Sequence, residues 1–191
     1  IDTDKNTKKD KKEKMRAVPD CRPVAMGEAL RKVFDKSVMD TALPLYAEVL
    51  KPQQLCVGVK GGDTKLVLGI RTMLELNPAF VVAALDIENA YNEVKRATVL
   101  KRHQAIPALA DLVPFLRAQL APASRLMAGD TPLPRASAEG LPQGWTPASA
   151  AFCVAIHPEV VALDEAVSAA GGCARFGMDD GYVVGPPEVV W

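Results

Sequence analysis

The 191 residues carry 23 basic and 23 acidic side chains, so net charge makes no case for a polyanion partner. Hydrophobic residues make up 49 % and charged residues 24 %, which excludes disorder over most of the length and allows one good core. Aromatics are only 5 %, which leaves that core to Ala, Val and Leu.

The predicted elements begin after residues 1–20, a Lys-rich opening that reads as a flexible loop or loose hairpin. Lys8, Lys9, Lys11, Lys12 and Lys14 crowd it, opposed between Lys5 and Arg16 only by Asp10 and Glu13. From Met26, the spacing of Leu30, Val33, Phe34, Val38 and Leu45 predicts a helix, interrupted or kinked near Pro44 and closed by Pro52. The Gly-rich turn 57–62 follows, with Asp63 as the cap of a helix carrying Leu66, Val67, Ile70, Met73 and Leu74. Lys60 beside Gly61 and Gly62 lacks the other residues of a phosphate-binding loop.

The apolar run 79–85 has the pattern of a buried central strand that delivers Asp86 at its tip. Residues 89–103 read as a helix with Val94 and Leu100 inward, and Pro107 restarts a helix through Leu120. Residues 121–139 have the look of a hairpin and loop, and the turn 140–144 leads into an Ala-rich helix over 147–169, stopped by Gly171 and Gly172. Strands at 173–178 and 182–184 bracket Asp179 and Asp180. The whole is α+β: a mixed or antiparallel sheet with helices on one face, leaving the other face open to a large ligand. We divide it into the opening 1–20, a helical region 21–78, and a sheet-bearing region 79–191.

Asp179 and Asp180 at a tight turn form a cradle for a divalent cation, and Asp86 can supply a third carboxylate. Three converging carboxylates repel unless cations sit among them, and magnesium is the natural guest. Two such ions about 4 Å apart can activate an attacking hydroxyl and stabilise a leaving pyrophosphate. The bland alternative is a hairpin turn, which Asp and Gly favour in any protein. Cys21, Cys56, Cys153 and Cys173 show no C-x-x-C spacing and lie far from His103 and His157. Reduced, mostly buried thiols are preferred over a zinc site, and His157 is expected to pack or cap near Pro158. No apolar run approaches the roughly 20 residues needed to span a bilayer, and the polar N-terminus is not signal-like. The expectation is a soluble intracellular protein, cytoplasmic or nuclear, with no membrane contact.

Three separated segments resemble, in order, the motifs of a reverse transcriptase palm. Leu85-Asp86-Ile87-Glu88-Asn89-Ala90-Tyr91 is similar to the first, Gly140-Leu141-Pro142-Gln143-Gly144 to the second, and Gly177-Met178-Asp179-Asp180-Gly181 to the third. Upstream, 21–28 and 54–62 resemble the fingers of non-LTR retrotransposon reverse transcriptases, so the resemblance spans about 22–187. It implies fingers in the first two regions, a palm in the third, and an RNA-directed DNA polymerase that uses an RNA template, a DNA primer and deoxynucleoside triphosphates. It further implies two Mg2+ ions, with Mn2+ as a substitute, held by Asp86, Asp179, Asp180 and the carbonyl of Ile87. Tyr91 becomes the gate against the 2′-hydroxyl, Gln143 and Gly144 the backbone approach to nucleotide and template, and Arg22 a phosphate contact. A third-motif Tyr or Phe is replaced by Gly177, with Phe176 as a partial substitute, and Trp145 stands where small or acidic residues are usual. These departures favour a second reading, a degenerate palm that binds nucleic acid without catalysis. An RNA-directed RNA polymerase shares the carboxylates, but Tyr91 argues against it. The resemblance includes no thumb, so the chain reads as an excerpt expected to extend primers poorly alone.

Overall fold

The structure, a computed structural model, describes residues 29–121, 123–128 and 130–190. The Lys-rich opening, Cys21 and Arg22 lie outside the described residues. Helix α1 (Ala29–Leu50) runs through Pro44 without ending there. Its buried side chains are Asp35, Met39, Ala42, Tyr46 and Leu50, at steps of three and four that make one face. That face is not the one the apolar spacing indicated: Leu30 is 84 % exposed, and Val33, Phe34 and Leu45 are exposed with it. The buried stripe meets an Ala-rich partner, helix α7 (Ala148–Ser168), in the main core. Polar partners inside that core also favour it. Tyr46 donates its hydroxyl to His103 Nε2 at 3.0 Å, while His103 Nδ1–H donates to the Val99 carbonyl at 2.8 Å. His103 is thus a neutral core histidine, its pKa lowered by burial.

Helix α2 (Gly62–Leu76) is preceded by Gly61 in a left-handed conformation, with Asp63 inside the first turn rather than at the cap. Strand β1 (Val81–Asp86) follows. The helix expected over 89–103 is two, α3 (Ala90–Glu93) and α4 (Arg96–Ala105), because Val94 and Lys95 are extended. The helix from Pro107 likewise divides into α5 (Pro107–Ala110) and α6 (Val113–Leu120). Strands β2 (Ser124–Ala128) and β3 (Thr131–Ser137) pair as the expected antiparallel hairpin. After α7 come β4 (Cys173–Gly177), β5 (Asp180–Gly185) and the short α8 (Pro187–Val190).

The main sheet is antiparallel in the order β1-β5-β4. Among the described residues β1 is therefore an edge strand, not the buried central strand its apolar run implied. Strand β5 takes the centre, and Val82 and Leu85 on β1 stay 39 % and 38 % exposed. Ala174, Phe176 and Val183 pack on Val160 and Val167 of α7, which backs one face. On the other face α2 lies over β4 and reaches β5, where Val184 is buried. Cys173 Sγ lies 3.2 Å from Met73 Sδ, and the rest of that face stays open along β1.

The outer edge of β4 is closed by the segment after α1. Leu55 N–H donates to the Phe176 carbonyl at 3.0 Å, and Phe176 N–H donates to the Gln53 carbonyl at 2.7 Å. A single parallel bridge between Gln54 and Phe176 results. Beside it the buried Asp164 of α7 accepts from Ala174 N–H (2.9 Å), Arg175 Nη1 (2.7 Å) and Gln53 Nε2 (2.9 Å).

Candidate functional site

The β1–β5 register ends with Asp86 directly opposite Asp180. Directly opposed residues of an antiparallel pair share a face, with Cβ atoms about 5 Å apart. Both aspartates are exposed. The β4–β5 register ends with Gly177 opposite Asp180, so Met178 and Asp179 form a two-residue connection. Such connections favour positive φ at the first central residue, and Met178 has φ 66°. A side chain in that region costs about 1 kcal/mol or more. Gln54 holds Met178 there from both sides: Met178 N–H donates to Gln54 Oε1 at 3.0 Å, and Gln54 Nε2 donates to the Met178 carbonyl at 2.9 Å.

Tyr91 sits in α3 with its hydroxyl donating to Ser149 Oγ (3.1 Å) at the start of α7 and its ring 5.0 Å from that of Phe152. Burial pushes its phenol pKa up; the Ser149 hydrogen bond opposes this, and the charges of Asp179 and Asp180 add to it. The same carboxylates reach the neighbouring thiols. Cys56 is raised by burial, then by Asp63 and Asp180, and Cys153 by burial, then by Asp179. Geometry places Cys56 at the hairpin, its Sγ 3.2 Å from where a Cβ on Gly177 would stand. The three described cysteines are free thiols.

The second-motif loop lies against α3. Leu141 N–H donates to the Tyr91 carbonyl at 2.6 Å, and Gly140 has φ 68° with the Asn92 carbonyl oxygen 2.5 Å from where a Cβ would stand. No side chain fits there. Gln143 is half-buried and Gly144 exposed. Trp145 is turned inward, 8 % exposed in the main core, so its ring does not occupy the open face. Neither its N–H nor the Oδ1 of Asp35, also buried in this region, completes a hydrogen bond, and burial raises the Asp35 pKa. The carbonyl of Ile87 accepts from Ala90 N–H at 3.3 Å, which leaves it a second lone pair.

Gly177 is explained by its surroundings. A Cβ there would stand 3.1 Å from Leu66 Cδ2 and 3.2 Å from Cys56 Sγ, so α2 and the preceding loop fill the space an aromatic ring would need. Phe176 does not replace that ring, because its side chain is on the opposite face, packed on α7.

Arg96 escaped the sequence reading. At the first position of α4 it donates to the carbonyls of Gly140 (2.8 Å), Leu120 (2.9 Å) and Glu139 (3.4 Å) and to Ser137 Oγ (3.2 Å). One guanidinium thereby ties the end of α6, the β2–β3 hairpin and the second-motif loop together. A cation at a helix N-terminus opposes the helix dipole, and that contrary placement was the available signal. Arg96→Lys is expected to cost about 2 kcal/mol of stability in urea unfolding and Arg96→Ala about 3 kcal/mol, because an ammonium cannot reproduce the planar fork. Equal unfolding midpoints for Arg96→Lys and the wild type would remove this role.

Among the described residues no set of three or more His, Cys, Asp and Glu side chains is arranged to hold an ion. The expected three-carboxylate cradle thus resolves into an opposed pair, Asp86 and Asp180, with Asp179 on the adjoining turn. An all-oxygen pair still fits magnesium, which takes one or two carboxylates and completes its shell with water and substrate phosphates. A surface depression of about 640 Å³ lined by Gln104, Asp111 and Arg117 shares no residue with the site. No helix among the described residues is long and apolar enough to cross a membrane.

No family model matches the chain, and no curated protein matches it. Among solved structures it is similar to apo telomerase from Candida tropicalis truncated from its C-terminal domain, with a TM-score of 0.57 and 10 % identity. The match covers 82 % of this chain and 35 % of the telomerase chain. This likeness is one of fold alone, and the chain spans about a third of the neighbour's length.

Proposed function

We propose that this chain is the palm, with adjoining fingers-side helices, of an RNA-directed DNA polymerase of non-LTR retrotransposon type. The reading rests on one observation above all. Two carboxylates from segments far apart in sequence, Asp86 and Asp180, are opposed on an open sheet face beside a hairpin tip. In this reading Asp86, Asp179 and Asp180 hold magnesium, or manganese in its place, with the Ile87 carbonyl as a further donor. When bound, the metal supplies charge neutralisation for an attacking primer hydroxyl and a departing pyrophosphate. The chain's own residues orient and exclude. Tyr91, fixed by Ser149 and Phe152, presses on the sugar 2′ position and selects deoxyribonucleotides; Gln143 and Gly144 approach the base pair; Arg22 meets phosphate. An RNA template and DNA primer lie across the open face.

A second reading, a palm that binds nucleic acid without catalysis, draws on the absence of a three-donor cluster among the described residues. Cation-dependent melting tests the site itself. Opposed like charges destabilise a strand pair by roughly 0.2–1 kcal/mol. In EDTA, Asp180→Asn should therefore melt higher than wild type, and magnesium or manganese should raise the wild-type midpoint but not that of the variant. Equal shifts in both proteins would dismiss the pair as a metal site. Magnesium-dependent primer extension on RNA, with the chain alone and with a thumb appended, separates catalysis from binding.

A further inference from the structure

The hairpin tip that carries Asp179 and Asp180 begins with a residue in an unfavourable conformation, and something must hold it there. Met178 has φ 66°, where a side chain is costly and glycine is not. Gln54 is fully buried and spends both ends of its carboxamide on Met178, accepting from its N–H at 3.0 Å and donating to its carbonyl at 2.9 Å. The backbone explains the reach. Gln54 pairs with Phe176 in a parallel bridge, so its side chain extends along β4 to a residue two places further on. The neighbours of Gln54 are fastened in turn: Gln53 to Asp164 of α7, and Leu55 to the Phe176 carbonyl.

We infer that Gln54 is a positioning residue for the carboxylate hairpin, an amide clamp that fixes Met178 in the left-handed conformation and so sets where Asp179 and Asp180 stand relative to Asp86. The inference rests on the polymerase reading. It adds that the loop between α1 and α2, rather than the palm strands alone, sets the site's affinity for a divalent cation. That loop also leads into α2, whose Leu66 lies over Gly177. Displacement of the fingers-side helices would therefore be passed to the hairpin through Gln54.

Manganese binding, followed by electron paramagnetic resonance on the full chain, tests this without any turnover. Gln54→Met keeps length and removes both hydrogen bonds; manganese affinity should fall about tenfold, since two such bonds carry that order of free energy. Adding Met178→Gly should restore most of the affinity, because glycine adopts the left-handed region without help. A merely structural role would lower the urea midpoint of Gln54→Met but leave the manganese affinity of its folded form unchanged, so affinity is read well below the unfolding midpoint of each variant. Amide hydrogen exchange on the wild type gives a measurement independent of the variants' folding: Met178 N–H should be protected at least tenfold more than Asp179 N–H. Unchanged manganese affinity in a folded Gln54→Met, failure of Met178→Gly to rescue, or an unprotected Met178 amide would each overturn the clamp. Absence of manganese binding by the wild type would instead overturn the polymerase reading, and the clamp's role with it.

Discussion

Asp86→Asn is expected to lower primer extension by at least about a thousandfold while changing affinity for the template–primer duplex by less than about threefold. The size follows from where the charge acts. A carboxylate that holds a metal against the reacting phosphate stabilises charge developing in the transition state, and a loss of about 4 kcal/mol there is a factor of about a thousand. Duplex affinity comes instead from phosphate contacts spread over a large surface, to which one carboxylate contributes nothing favourable. Asp86 lies at the exposed end of an edge strand, opposite Asp180, so an isosteric amide leaves the packing intact. Single-turnover extension and duplex binding should be measured on the same preparations, with a thumb appended to both proteins. Extension that survives in Asp86→Asn would remove the metal assignment. Duplex binding by a wild type that extends nothing would replace catalysis with the binding-only reading.

The second large effect falls on stability. Asp164→Ala is expected to cost about 3–5 kcal/mol, because it strips a buried carboxylate from Arg175, the Ala174 N–H and Gln53 together. Burial alone would raise the Asp164 pKa, but the Ala174 N–H, Gln53 and Arg175 outweigh it and hold the carboxyl below its ordinary 3.8. The unfolded chain then binds the proton first as pH falls. This contribution is fully present above about pH 4 and is lost progressively as pH drops from there through the lower folded-state value. Asp164→Asn should flatten that acid limb. Urea unfolding between pH 3 and 7 measures both effects, and an acid limb unchanged in Asp164→Asn would show that other carboxylates carry it.

What the sequence made legible was local. The β4–β5 hairpin, the β2–β3 hairpin and the Ala-rich helix lie close to where turn residues and composition put them, because each is decided by near neighbours in the chain. The pairing of Asp86 with Asp180 was legible only through the order of the motifs, since nothing near either residue specifies its partner. Three features were not legible. The buried face of α1 was misread because its helix pattern has two apolar stripes, and the choice between them depends on what α7 and His103 present. Strand β1 was placed centrally because an apolar run does not say which strand intervenes, and β5 does. Gln54 and Arg96 act through backbone groups, and a residue that binds backbone leaves no partner side chain in the sequence to pair it with.

Strand β5 at the centre of the sheet carries a cost in time as well as in space. Strand β1 gains its pairing only from a strand roughly ninety residues later, and contacts of such wide separation pay their loop-closure entropy before any of it is returned. The helices α4 to α6 can settle against one another by short-range contacts while β1 still waits, an apolar edge without a partner. During synthesis the same order is imposed by the ribosome, since Asp86 emerges long before Asp180 exists. The two carboxylates can thus come face to face only once the chain between them has closed its long loop, and the strand pairing that closes it also bears their repulsion.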